Sequence, residues 1–356
     1  MNQIAQPPLV PGRSNDYDAV SRNGDGFAGL LWLTWRQHRW ALIGSVVLTA
    51  VLTGWMVYLA ADLKTIYHQC HNTVCASGTS QDSVLSASFG PLSISNHLLQ
   101  FIVFLPLMVG VFLGVPLLAR EHEQRTLLLA WCQDISPAQW LWTKLTLLGI
   151  SVAALTAILS AACDHLAHAM SNVSGGGMFA GAMFLDSGML PLALSVCWFA
   201  VGVTLGAAIR RILPSAIAAV AGFMALLVIV EWRYPTLITP LSRFRPVGND
   251  SGPVLGINAL KIKGGLSIGP GQVSNLFDAS GHAVSYADLQ KSCPDLSPGT
   301  LISCMTHNHL ETFIQYQPGN RIPEFHLILA SGYLSIGAIA LLAAGLIVRH
   351  TSLNAG

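Results

Sequence analysis

Six stretches of this chain, each close to twenty residues or longer, carry no Asp, Glu, Lys or Arg beyond their first turns. They are Trp40–Ala61, Leu98–Ala119, Leu141–Cys163 (with Lys144 in its first turn), Met189–Ile209, Ile212–Val230 and His326–Val348. A hydrocarbon core of about 30 Å needs about twenty apolar residues of helix, and inside it every backbone polar group must be satisfied within the segment. The pattern therefore predicts six transmembrane helices. Pro191 and Pro214 fall in first turns, where a missing N–H costs little, and Pro106 is expected to kink the second span. Composition agrees: 52% of the 356 residues are hydrophobic and only 10% charged, against about 25% charged in a soluble domain. The net charge of +1 offers no field for nucleic acid, and no such partner is expected.

Orientation follows from Lys and Arg in the short flanks. Arg36 and Arg39 precede the first span, Arg120, Arg125 and Lys144 lie between the second and third, Arg210 and Arg211 separate the fourth and fifth, and Arg349 follows the sixth. Asp62–His97 holds only Lys64, and Asp164–Gly188 holds no Lys or Arg. Both termini are thus predicted to be cytoplasmic. Cys70, Cys75, Cys293 and Cys304 all fall in segments assigned outside, where disulfides persist. They admit three pairings, of which the local Cys70–Cys75 and Cys293–Cys304 are favoured. Residues 1–26 are polar, lack the apolar core of a secretory signal and are expected to form a disordered tail. Residues 349–356 form the other cytoplasmic tail.

The centres of all six spans lack ionisable groups, which argues against a proton- or sodium-coupled carrier and against an intramembrane protease. No GxxxxGK[ST] run occurs, so no Walker-type nucleotide site is expected in this chain. Asp164-His-Leu-Ala-His168, the His122-Glu-Gln run, and His68 and His71 beside Cys70 and Cys75 are each read as polar residues at a water interface, not metal ligands. The sequon at Asn172 matters only in a glycosylating pathway.

Charge is concentrated at one place, the run Leu117–Trp140, LLAREHEQRTLLLAWCQDISPAQW. Its first half favours helix, and Ser136-Pro-Ala-Gln139 is a start signal for the next one. Residues 119–136 are therefore read as a compact cytoplasmic insert. Before the first span, residues 27–39 mix Trp32 and Trp35 with Arg36 and Arg39, the composition of an amphipathic helix on the inner leaflet. Gly110-xxx-Gly114 and Gly202-xxx-Gly206 permit close helix approach, within the chain or at a dimer seam. Phe101, Phe104, Met108 and Phe112 form a stripe at helical spacing that is a candidate path for an apolar substrate, or else lipid-facing packing.

The six-span plan, the run Leu33–Arg39 (LTWRQHR) and the run Pro116–Leu145 resemble the permease subunits of type-2 ABC exporters, particularly actinobacterial-looking ones. The resemblance implies an all-α polytopic fold with no chemistry of its own. It also implies a partner ATPase that holds ATP and Mg, and a second permease copy or paralogue. Residues 27–39 would be the interfacial connecting helix. The insert would hold the coupling helix, with Glu121, Glu123, Arg125 and Thr126 as contacts to the ATPase. Arg125 departs from the family pattern, which commonly has glycine before the threonine. Residues 231–325 form a second departure: relatives generally place short re-entrant helices there, whereas this long segment is rich in Gly, Pro and Ser. It includes β-prone pieces such as Pro253–Ile257 and Gly271–Ser274, and a small extracellular cap is expected. Two other readings stay open: a membrane-embedded sensor whose cap binds a ligand, and an intramembrane enzyme using His165, His168 or the outer-loop histidines.

Overall fold

The structure, a computed structural model, describes residues 22–69, 82–123, 137–174, 177–179, 181–247, 258–264, 266–269, 272–295 and 297–353. Six helices among these are long and apolar enough to cross a membrane: Arg39–Gln69, Gly90–Glu123, Trp140–Ser174, Leu190–Ile209, Ile212–Thr236 and Gly319–His350, here spans 1 to 6. Several run past the expected ends, because helix propensity does not stop where apolarity does. Span 3 continues through Asp164, read from the sequence as the start of a loop, as far as Ser174, and buries Leu166, Ala167, Met170 and Val173 on the way. Residues 27–39 are helical as expected, yet they belong to one uninterrupted helix, Arg22–Gln69, 48 residues long. At 1.5 Å per residue it measures about 72 Å.

Span 4 is the axis of the bundle. In its most apolar stretch 61% of residues are buried, against 17% for span 5 and 22% for span 1. Its closest neighbour is span 2, and glycine makes that possible. A Cβ on Gly110 would lie 2.6 Å from Trp198 Cδ1 and 2.8 Å from the Trp198 carbonyl oxygen; one on Gly114 would lie 2.6 Å from the Phe199 oxygen. Reciprocally, Gly202 abuts the Gly110 carbonyl and Gly206 the Val115 carbonyl. The two GxxxG runs therefore pack on each other inside one chain.

Span 2 is discontinuous. Helix Asp82–Ile102 gives way to a turn at Val103–Phe104, then helix Leu105–Val109, a π-helical turn Gly110–Gly114 and helix Val115–Glu123. Pro106 has no N–H to return to the Ile102 carbonyl, and the chain tightens just before it, with the Phe104 N–H on the Phe101 oxygen at 3.1 Å. The π-turn closes through the Val115 N–H and the Gly110 oxygen. The expected kink is thus a break followed by a widened turn, and the widened turn faces span 4.

The region after span 5 corrects the all-α expectation. It is an α+β cap whose main sheet has the order β1 (Leu241–Pro246), β6 (Glu311–Gln317), β2 (Leu260–Gly264), with β5 (Leu276–Phe277) also antiparallel to β6. A hairpin, β3 (Ser267–Gly269) with β4 (Gln272–Ser274), takes in the last three residues of the second β-prone piece; Gly271 and Pro253–Ile257 lie outside the described residues. Two short helices, Tyr286–Ser292 and Pro298–His307, complete the cap, and the Ser285 hydroxyl accepts the Asp288 N–H to start the first. The Cys293–Cys304 disulfide joins them and packs with Leu276, Leu289, Leu301 and Met305 in a separate core. The cap sits on the bundle through polar ties. The Gln317 amide nitrogen donates to the Ile238 oxygen at 2.6 Å. Asn258 accepts from the Ser171 hydroxyl at 2.8 Å and the Met178 N–H at 3.3 Å.

Candidate functional site

At the end of the bundle opposite the cap, where residues 124–136 leave and return, span 2 ends in Glu121-His-Glu123. Glu121 is 9% exposed and pairs with the ammonium of Lys144 on span 3, itself 5% exposed. The Trp140 ring lies 4.1 Å from that ammonium and screens it from water. The Glu123 carboxylate accepts the N–H of Ile212 at 2.8 Å. That N–H is an orphan donor at the start of span 5, so Glu123 caps the helix and places negative charge where its dipole is positive. Arg210, with φ of +60°, ends span 4 in the left-handed region, its N–H on the Gly206 oxygen at 3.1 Å.

Of the residues expected to meet an ATPase, Glu121 and Glu123 are thus held by spans 3 and 5 of the same chain. Arg125 and Thr126 lie outside the described residues. Lys144, read from the sequence as a flanking charge, proves to be a buried partner. The signal for this was its place within an otherwise apolar first turn, since an ionisable group there needs a counter-charge.

All four stripe residues border one groove. Phe101, Phe104, Met108 and Phe112 line a cavity of about 410 Å³ between spans 1, 2 and 3, with Leu48 and Leu155 on its other walls. The break at Val103–Phe104 lies along it. Trp32 and Trp35 on the first helix are about half exposed, Arg36 stacks on the Trp32 ring at 5.4 Å and Arg39 on Trp40 at 5.4 Å. Those two guanidiniums cover indole faces of their own helix.

The cap end holds a polar knot that sequence reasoning missed. The Gly188 N–H donates to Asp164 Oδ1 at 2.9 Å, and the Ser160 hydroxyl donates to the Gly188 oxygen at 2.5 Å. The Ser187 hydroxyl lies 3.3 Å from His326 Nε2. Gly188 has φ of +61°, and a side chain there would run into the His326 ring. Next to it, Asp186 is buried with Oδ2 unpartnered, and burial pushes its carboxyl well above the ordinary carboxylate range. The contacts join spans 3 and 6 to the turn that precedes span 4, across long sequence separations that no local pattern announces. The expected interface histidines are committed nearby: His165 Nε2 is 2.8 Å from the Lys64 ammonium, and His168 Nδ1 is 2.8 Å from the Asp164 oxygen. Among the described residues, no three His, Cys, Asp or Glu side chains converge as a metal site. Cys293 and Cys304 are joined, and Cys70 and Cys75 lie outside the described residues.

Comparison with known proteins gives two family matches. Residues 46–233 match the family described as "ABC-2 membrane transporter related", and residues 236–322 match a domain of unknown function, DUF8319. No curated protein and no solved structure matches the chain. The first match takes in spans 2 to 4 whole, most of spans 1 and 5, the root of the insert and the apolar groove. It covers more than half of the chain, which therefore belongs to the ABC-2 membrane transporter related family, as the tryptophan–arginine run and the charged insert had indicated.

Proposed function

We propose that this multi-pass membrane protein is the permease subunit of an ATP-driven exporter of a lipophilic compound, and that a separate ATPase binds the insert. In this reading both termini and the insert are cytoplasmic, ATP and Mg are held by the partner, and the substrate moves along the span 2 stripe, between this permease and a second copy or paralogue. The observation that carries the proposal is the anchoring of the insert. Glu121 fixes its root to span 3 and Glu123 fixes it to span 5, so a push on residues 124–136 is delivered to three spans together. Residues 27–39 act as the connecting helix, and Arg125 and Thr126 supply contacts to the partner.

The test is co-purification with a candidate ATPase, followed by hydrolysis assays of Glu121→Lys, Glu123→Lys and Arg125→Glu. Arg125→Glu is expected to weaken the complex. Glu123→Lys is expected to preserve binding and uncouple hydrolysis from substrate. Glu121→Lys, which sets two buried ammonium groups face to face, is expected to lower the yield of folded permease as well. A complex that survives all three with unchanged turnover rejects the coupling assignment.

A further inference from the structure

Phe104 borders two cavities. The second, of about 350 Å³, opens between span 2, the short helix Gly181–Leu185 and the cap end of span 5. The two differ in chemistry. Three of the hydroxyls around the first are spent on their own helices: Ser45 on the Leu42 oxygen, Ser151 on Leu147 and Thr156 on Val152, all at 2.7 to 2.8 Å. No charged residue borders it among the described residues. The second cavity is bordered by Gln100, Glu231 and Tyr234. The Tyr234 hydroxyl already donates to the Phe179 oxygen at 2.8 Å, so its oxygen can only accept further bonds. Glu231 is exposed and makes no ion pair among the described residues. Among those residues it is the one charged side chain bordering either cavity.

We propose that the two cavities take the two ends of one amphipathic cation. Its apolar body lies against Phe101, Met108 and Phe112, and its amine or quaternary ammonium faces Glu231, between the rings of Phe104 and Tyr234. A positive charge entering an uncharged apolar groove loses its hydration with nothing in return. A carboxylate at the far end, with aromatic faces along the way, offsets that loss. An anion would meet a carboxylate and a phenol oxygen there, and be repelled. This assignment rests on the export reading above and names the substrate class of the same groove.

The test uses the full chain in phosphatidylcholine nanodiscs, with empty discs as reference and two dyes, cationic rhodamine 6G and neutral Nile red. Both are expected to bind saturably, and Met108→Trp, which fills the groove, is expected to weaken both. Glu231→Gln is expected to weaken rhodamine 6G about five-fold or more while leaving Nile red within about two-fold; Glu231→Asp retains the rhodamine site and controls for folding. Unchanged rhodamine affinity in Glu231→Gln, or equal loss of both dyes, overturns the cationic assignment and leaves the groove reading intact. Absence of saturable binding by either dye, or indifference to Met108→Trp, overturns the groove reading and this proposal with it.

Discussion

Lys144 and Glu121 neutralise each other between spans 2 and 3, at the point where the insert joins them, with the Trp140 ring over the ammonium. Removing one partner from such a pair leaves an uncompensated buried charge, typically at a cost of about 3–5 kcal/mol, whereas replacing both by apolar groups is close to neutral. Lys144→Met and Glu121→Leu are each expected to lower the melting temperature sharply. The double variant Glu121→Leu/Lys144→Met should recover most of the loss in thermal unfolding of the purified chain. Additive losses in the double variant would show that the two charges do not support each other.

The glycine seam makes a sharper steric prediction. Gly114→Ala places a methyl 2.6 Å from the Phe199 carbonyl oxygen, where only backbone movement relieves the clash. Overpacking of this kind costs about 1–3 kcal/mol. Gly44 and Gly54 are also helical, but a methyl at either would meet nothing within 4 Å, so Ala there is expected to be neutral or mildly stabilising. Melting temperatures of the three variants in one detergent decide the matter.

Asp186 gives a pH dependence with a definite sign. Its folded-state carboxyl titrates above its unfolded value, near 3.9. The folded state therefore binds the extra proton, and the stability this lends is complete below the unfolded value and lost as pH rises through the folded one. Asp186→Asn is expected to raise stability at neutral pH, and the gap from the parent chain should close as the pH falls towards about 4. A gap independent of pH would assign the effect to packing.

The cap and the bundle are expected to respond differently to reduction. The Cys293–Cys304 link spans a sequence separation of 11, for which loop-closure entropy gives about 3 kcal/mol. Cys293→Ser/Cys304→Ser should speed proteolysis between β2 and β6 while leaving the bundle's melting unchanged. Loss of the whole protein on substitution would mean that the bundle depends on the cap.

What the sequence revealed divides along physical lines. Exclusion of charge is a strong, local and additive signal, so all six spans were legible, and Pro106 marked the break in span 2. The stripe was visible as a periodicity, but only packing could show that its four side chains border a single groove. Span ends were misjudged because a helix can outrun its apolar stretch, as span 3 does at Asp164-His165. The cap strands were largely hidden, since Glu311–Gln317 alternates polar residues with few apolar ones, and its partners come from distant parts of the chain. The identity of Lys144's partner and the Asp164–Gly188–His326 knot were hidden for the same reason: each contact joins segments far apart in the chain.

The pairing of β1 with β6 has a consequence for how the chain is made. Leu241 leaves the end of span 5 and Tyr316 leads into span 6, yet they are direct partners in the sheet. Pairing so distant in sequence is slow to form by chance encounter. Here the bilayer shortens the search, because once both helices are inserted the strands are held near each other. The sheet should therefore close last in biogenesis, and a nascent chain halted before Glu311 would present β1 and β2 without the strand that lies between them.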